Sequence, residues 1–168
     1  MNGKKKSSNK LNCLIYKEEF TMANAKDFVI HEGVLIKYKG YTVREDFAIP
    51  EDITGIGNNV FSYRGWDCER LVIPKSVETI GNKAFAYMNP DSVLKEIVIQ
   101  GDIKEIGKSA FSSIYVEKII FEGHVDKVCE EAFAYCRINT LTVAGGDSFS
   151  GSRCSFFAKQ SFQALVEP

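Results

Sequence analysis

Charge of one sign is what this sequence most clearly lacks. Twenty-one basic and 22 acidic residues leave a formal net charge of −1. Phosphate recognition needs a basic excess, so the balance argues against nucleic acid as a partner. The one local surplus, Lys4, Lys5, Lys6 and Lys10, reads as a solvated tail. Long apolar runs are missing too: none approaches the ~18 residues of a membrane helix, so no membrane insertion is expected. The run from Leu11 to Tyr16 is broken by Asn12 and too short for a signal peptide. The chain as written therefore reads as cytoplasmic, or as surface or secreted if a leader was trimmed from it. Cysteine is sparse and irregular, at positions 13, 68, 129, 136 and 154, with no C-x-x-C pair. Free buried thiols in a reducing compartment fit better than a disulfide framework.

What is present is a repeat. Four segments align without gaps over their central parts. They run Phe47-Ala-Ile49-Pro50 with Ile53, Ile56-Gly57 and Val60-Phe61; Leu71-Val-Ile73-Pro74 with Val77, Ile80-Gly81 and Ala84-Phe85; Ile97-Val-Ile99 with Ile103, Ile106-Gly107 and Ala110-Phe111; and Ile119-Ile-Phe121 with Val125, Val128-Cys129 and Ala132-Phe133. Offsets within a segment are constant, whereas the period between segments is 24, 26 and 22 residues. The length changes fall after the Phe, where a stacked coil can bulge outward without breaking its neighbours' register. A fifth strand is expected at Leu141-Thr142-Val143. An atypical capping repeat is expected at Phe157-Ala158 and Ser161-Phe162, after an insertion carried by residues 144–153.

The offsets predict the shape of one coil. Leu71-Val72-Ile73 alternates and is β-branched, hence a short strand with 71 and 73 inward. Pro74 ends it. Val77, Ile80, Ala84 and Phe85 then predict a turn and a short helical or 3₁₀ segment on the opposite side. Gly57, Gly81 and Gly107 mark a close approach of backbones. Cys129 in the same column argues that smallness, not positive φ, is the requirement. A single coil buries too few side chains to offset its ordering entropy, so stability must come from stacking.

The run Ile73-Pro-Lys-Ser-Val77-Glu-Thr-Ile80-Gly-Asn-Lys-Ala84-Phe85 resembles the BspA-like leucine-rich repeat family. Phe133-Ala-Tyr-Cys136 is similar to the same family's Ala-Phe-x-x-Cys step, and Phe28 to Gly40 to the β-hairpin that often precedes such repeats. The resemblance covers about residues 28 to 143. It implies an α/β repeat solenoid, a right-handed coil with a parallel sheet on one side. The expected organisation is a tail or cap extension over 1–27, a β-hairpin cap over 28–45, four repeats plus a fifth strand over 46–143, and an insertion loop with a capping repeat over 144–168. Members are commonly bacterial, and many are surface-exposed adhesion or interaction proteins.

Stacking aligns outward strand positions into rows. The central row is Ala48, Val72, Val98, Ile120 and Thr142; beside it runs Asp46, Arg70, Glu96, Lys118 and Thr140. Alternating charge in the second row attracts neighbouring strands and sets register; a solvated, purely supporting role is the plain reading of it. Contiguous exposed apolar residues at 72, 98 and 120 point to an interface, against the plainer alternatives of strand propensity or a covering segment. Tyr63 and Trp66, in the connector after Phe61, are a further binding candidate, and equally a cover for the hydrophobic flank. The partner-binding set is therefore Val72, Val98, Ile120, Arg70, Glu96, Lys118, Tyr63 and Trp66.

The function expected is a non-enzymatic module that binds a protein, with self-association an equally open form of it. The alternative is an adhesion protein recognising a host protein or glycan. No catalytic, metal or cofactor site is expected. His31 and His124 fall in different units, and Cys129 and Cys136 hold repeat positions, which argues against zinc. The Gly145-Gly-Asp-Ser148-Phe-Ser150-Gly151 stretch has serine where a nucleophile elbow needs glycine. Glu130 and Glu131 are adjacent and diverge.

Overall fold

Alternating apolar strands joined by left-handed turns wind the chain into stacked coils in a computed structural model. The structure describes residues 26–44, 47–89 and 91–143, and the backbone of 148–150. The stack opens with an antiparallel hairpin, β1 (Phe28–His31) and β2 (Val34–Tyr38), with an irregularity between Val29 and Ile30. Its turn places Glu32 at φ 49° and Gly33 at φ 77°, the pair of positive dihedrals that matches hairpin twist. β3 (Thr42–Arg44) pairs in parallel with β5 (Gly65–Asp67).

Two further sheets run the length of the coils. On one side β2 continues through the two-residue strands β4 (Gly55–Ile56), β7 (Thr79–Ile80) and β9 (Glu105–Ile106), all parallel. On another, β6 (Arg70–Ile73), β8 (Glu96–Ile99), β10 (Tyr115–Phe121) and β11 (Arg137–Thr142) pair in parallel, and β12 (Ser148–Ser150) closes the β11 edge antiparallel. Residues 47–50, expected to begin this sheet, form no strand, so β6 is its edge among the described residues. Ser148–Ser150, expected within an insertion loop, instead occupies a strand edge that would otherwise stay unpaired. The expected capping repeat at 157–162 lies outside the described residues.

The expected helical turns are absent among the described residues, and the backbone shows why. Each turn carries two left-handed residues four apart: Asn59 and Tyr63, Lys83 and Tyr87, Ser109 and Ser113, Glu131 and Tyr135, all at φ 54–61°. Such residues interrupt any helical run. Alternate N–H groups then point along the stack instead of along the chain. Asn59, Phe61 and Tyr63 donate to the carbonyls of Asn82, Ala84 and Ala86, and Lys83, Phe85 and Tyr87 donate to those of Lys108, Ala110 and Ser112. The turn side is thus a third hydrogen-bonded face.

Inside, each repeat aliphatic predicted to point inward is buried: Leu71, Ile73, Ile97, Ile99, Ile119 and Phe121 are at most 2% exposed. Phe61, Phe85, Phe111 and Phe133 stack in one column, with ring centroids 5.2, 5.2 and 5.3 Å apart. Tyr38 and Phe47 cover its first ring at 5.5 and 5.6 Å. Close approach explains the glycine column: a Cβ on Gly81 would meet the Gly57 carbonyl carbon at 2.7 Å, and one on Gly107 the Gly81 carbonyl carbon at 2.7 Å. Neither glycine has positive φ, so smallness is the requirement there. Cys136 donates its thiol to the Phe133 carbonyl at 2.7 Å. Cys68 and Cys136 are buried and Cys129 is half-buried.

Candidate interaction surface

The outward side of the β6–β8–β10 sheet brings the two predicted rows into register. Arg70 lies opposite Glu96 and Glu96 opposite Lys118; Val72 lies opposite Val98 and Val98 opposite Ile120. Arg70 Nε donates to Glu96 Oε2 at 2.7 Å, and Lys118 Nζ stands 4.0 Å from Glu96 Oε1. Glu96 therefore bridges two coils. Thr140 and Thr142 extend both rows onto β11. Asp46 lies outside the described residues, and Ala48 is exposed off the sheet.

The apolar row needs one correction. Val72 and Ile120 are half-buried, but Val98 is 0% exposed and is not available to a partner. It stays outside the interior cluster, at the centre of its row, where β-branched side chains stand on both neighbouring strands at about 4.8 Å. What the sheet offers is two half-covered aliphatic side chains beside an ion-paired row.

The connector prediction divides. Trp66 is 2% exposed, 5.8 Å from the Phe61 ring and 6.0 Å from Phe85, so it belongs to the core and not to the surface. The alternation of β5 turns it inward. Tyr63 is 74% exposed, and its ring stacks on Tyr87 at 4.6 Å and 10°. Tyr135 occupies the same left-handed position in the fourth coil and is 80% exposed. Tyr115, exposed at the start of β10, carries the Arg137 guanidinium 5.5 Å above its ring. Tyr135, Tyr115 and Arg137 were not singled out from sequence. A signal existed: each ladder tyrosine lies two residues after a repeat Phe.

Electrostatics knit coil to coil across the exposed surface. Lys95 reaches Glu69 at 2.6 Å, Lys104 reaches Glu78 at 2.5 Å and Lys127 reaches Glu105 at 2.8 Å. The Lys127 ammonium, and then the Cys129 thiol at 3.3 Å, hold the Glu105 carboxyl below its usual range. The hydrogen bond from each lysine to its glutamate raises the Lys95, Lys104 and Lys127 ammonium values. His31 ends β1, and His124 pairs with Asp126 at 3.4 Å. Glu130 faces Lys108 at 3.6 Å, whereas Glu131 accepts from the Ser109 hydroxyl at 3.3 Å, so the two adjacent carboxylates diverge. Among the described residues no cluster of three or more His, Cys, Asp or Glu is placed to hold a metal ion. No helix among them is long and apolar enough to cross a membrane.

The family model described as BspA type Leucine rich repeat region matches residues 14–140 in six copies. It begins before the first of the four gap-free segments read from sequence. No match was found among curated proteins or among solved structures.

Proposed function

The chain belongs to the BspA-type leucine-rich repeat family, and from that premise we propose that it is a non-enzymatic module that binds a protein through its outward sheet face and neighbouring connectors. The family is typically non-enzymatic and common in bacterial surface proteins. The observation that carries the reading is the alignment of like side chains from successive coils into outward rows. The ion-paired row Arg70–Glu96–Lys118 runs beside the half-covered Val72 and Ile120. A flat face with an aliphatic strip and a charged margin has the make-up of a protein interface, apolar at the centre and polar at the rim.

The test is a paired variant, Val72→Lys with Ile120→Lys. Both side chains are half-buried and outside the interior, so the fold survives the change. Size-exclusion chromatography with light scattering on the full chain reports self-association. Affinity capture from native lysate with wild type and double variant side by side reports a foreign partner. Loss of either association in a folded double variant supports the sheet face; association unchanged rejects it. A second reading, adhesion to a host glycan, draws on the exposed tyrosines and predicts binding to immobilised oligosaccharides instead.

A further inference from the structure

The outer tyrosine column has one step with no ring. Its positions are Tyr63, Tyr87, Ser113 and Tyr135, each two residues after a stacked core Phe. Hydrogen bonds fix Ser113 in that column, because Met88 N–H donates to the Ser113 carbonyl and Ser113 N–H donates to that of Ala134. All four share φ of 56–61°. The core column shows that adjacent coils set rings 5.2–5.3 Å apart, and Tyr63–Tyr87 shows 4.6 Å on the outside. Two coil steps separate Tyr87 from Tyr135, about 10 Å at the usual strand spacing. Tyr63 covers one face of the Tyr87 ring, and the Lys83 ammonium stands 6.0 Å from its centroid. With that lysine swung aside, the spacing admits one planar ring at the Ser113 step, at stacking distance from both neighbours.

A second observation points the same way. A left-handed backbone position is the natural place for glycine or asparagine, and a bulky residue there is strained. This column holds tyrosine three times in four. Tyr63 and Tyr87 recover something from stacking on each other. Tyr135 is 80% exposed and no ring stands on the adjacent coil at Ser113. Strain of this kind collects at binding sites, where the bound state compensates it. The flank is furnished alike: Tyr115 and Arg137 lie in register two residues beyond Ser113 and Tyr135, and tyrosine with arginine is the composition of binding hot spots.

We infer that the Ser113 step is a slot between Tyr87 and Tyr135 that takes an aromatic side chain of a protein partner. The inference rests on the reading of the chain as a protein-binding module and names the chemistry of one contact. Ring thickness favours an aromatic side chain over an aliphatic one, which is too bulky across its branches to lie flat between two rings.

The experiment uses the full chain, isotope-labelled, titrated with N-acetyl-tryptophanamide, N-acetyl-leucinamide and maltohexaose, with the Ser113, Tyr87 and Tyr135 amide resonances as the readout. The expected result is a saturable shift with the tryptophan amide alone. It persists in Ser113→Ala and weakens by about two- to tenfold in Tyr135→Ala, the size of the ring stacking removed. In Ser113→Tyr the chain's own ring fills the step and the shift disappears. Equal shifts with the leucine amide, a response to the sugar alone, no saturable shift at these residues, or a Ser113→Tyr protein that still responds would each overturn the slot. Should Ser113→Tyr fail to fold, Tyr135→Ala decides on its own. Peptides selected from a random display library against wild type separate the slot from the broader reading. Peptides lost on Val72→Lys with Ile120→Lys but retained by Ser113→Tyr overturn the slot and leave the sheet face standing. Failure to select any peptide counts against both.

Discussion

Two aromatic columns run side by side in this molecule, two residues apart in every repeat, and they differ in one step. The inner column, Phe61, Phe85, Phe111 and Phe133, is complete, buried and nearly parallel throughout. The outer column, Tyr63, Tyr87, Ser113 and Tyr135, is interrupted, with Tyr63 and Tyr135 exposed and Tyr87 and Ser113 half-buried. The backbone supplies both with the same spacing, so the difference lies wholly in side chains. A missing inner ring would leave a cavity that water cannot favourably fill, and stability would fall sharply. A missing outer ring costs little and leaves an opening. The comparison teaches that a solenoid can hold one ladder to structure while another, on the same hydrogen bonds, is left to vary.

The largest expected effect comes from breaking the inner column. Phe111→Ala should cost about 3–5 kcal/mol, seen as an earlier denaturant midpoint; a cost near that of a surface substitution would mean the stack is not what holds the coils. Next is the spacing that both columns share. Gly81→Ala puts a methyl where the Gly57 backbone lies 2.7 Å away and should destabilise by about 1–3 kcal/mol, with thermal unfolding as the measure. Relief of the outer column should be smaller and of opposite sign. Tyr135→Gly should stabilise by about 1 kcal/mol by removing left-handed strain, and Tyr63→Gly by less, because Tyr63 also loses its stack on Tyr87; equal gains at both sites would show that the stack contributes nothing.

The smallest effect concerns surface charge. Glu105 is held below its usual value by Lys127 and Cys129. Its contribution is therefore present above the unfolded carboxylate value and lost as pH falls through the lower folded one. With the side chain 46% exposed, screening limits this to a few tenths of a kcal/mol. Glu105→Gln should lower stability at neutral pH by that amount and leave it unchanged well below the folded carboxylate value, so that the acid limb of the stability–pH curve flattens; unfolding midpoints measured across the pH range check it.

Much of the coil was legible because its signal is local and repeated. The inward set at 71, 73, 97, 99, 119 and 121 follows from two-residue alternation, and the Arg70–Glu96–Lys118 pairing follows from lining up segments. The errors fell where neighbouring coils override local preference. Spacings of three and four around Ile80 and Ala84 mimic a helical face, yet the turn N–H groups find carbonyls on the next coil. Val98 alternates outward yet is covered, and Trp66, left open in the sequence between binding and covering the hydrophobic flank, fills the core. Ser148–Ser150 has loop composition yet completes an open edge.

The repeat, the inward aliphatics, the glycine column and the charge alternation are written in the order of residues, because each is a requirement on side-chain size or sign at a constant offset. The left-handed turns, the cover over Val98 and the exposure of Tyr63 and Tyr135 come from the folded stack. Those depend on what the adjacent coil places within hydrogen-bonding or van der Waals reach, which a single segment of chain does not carry.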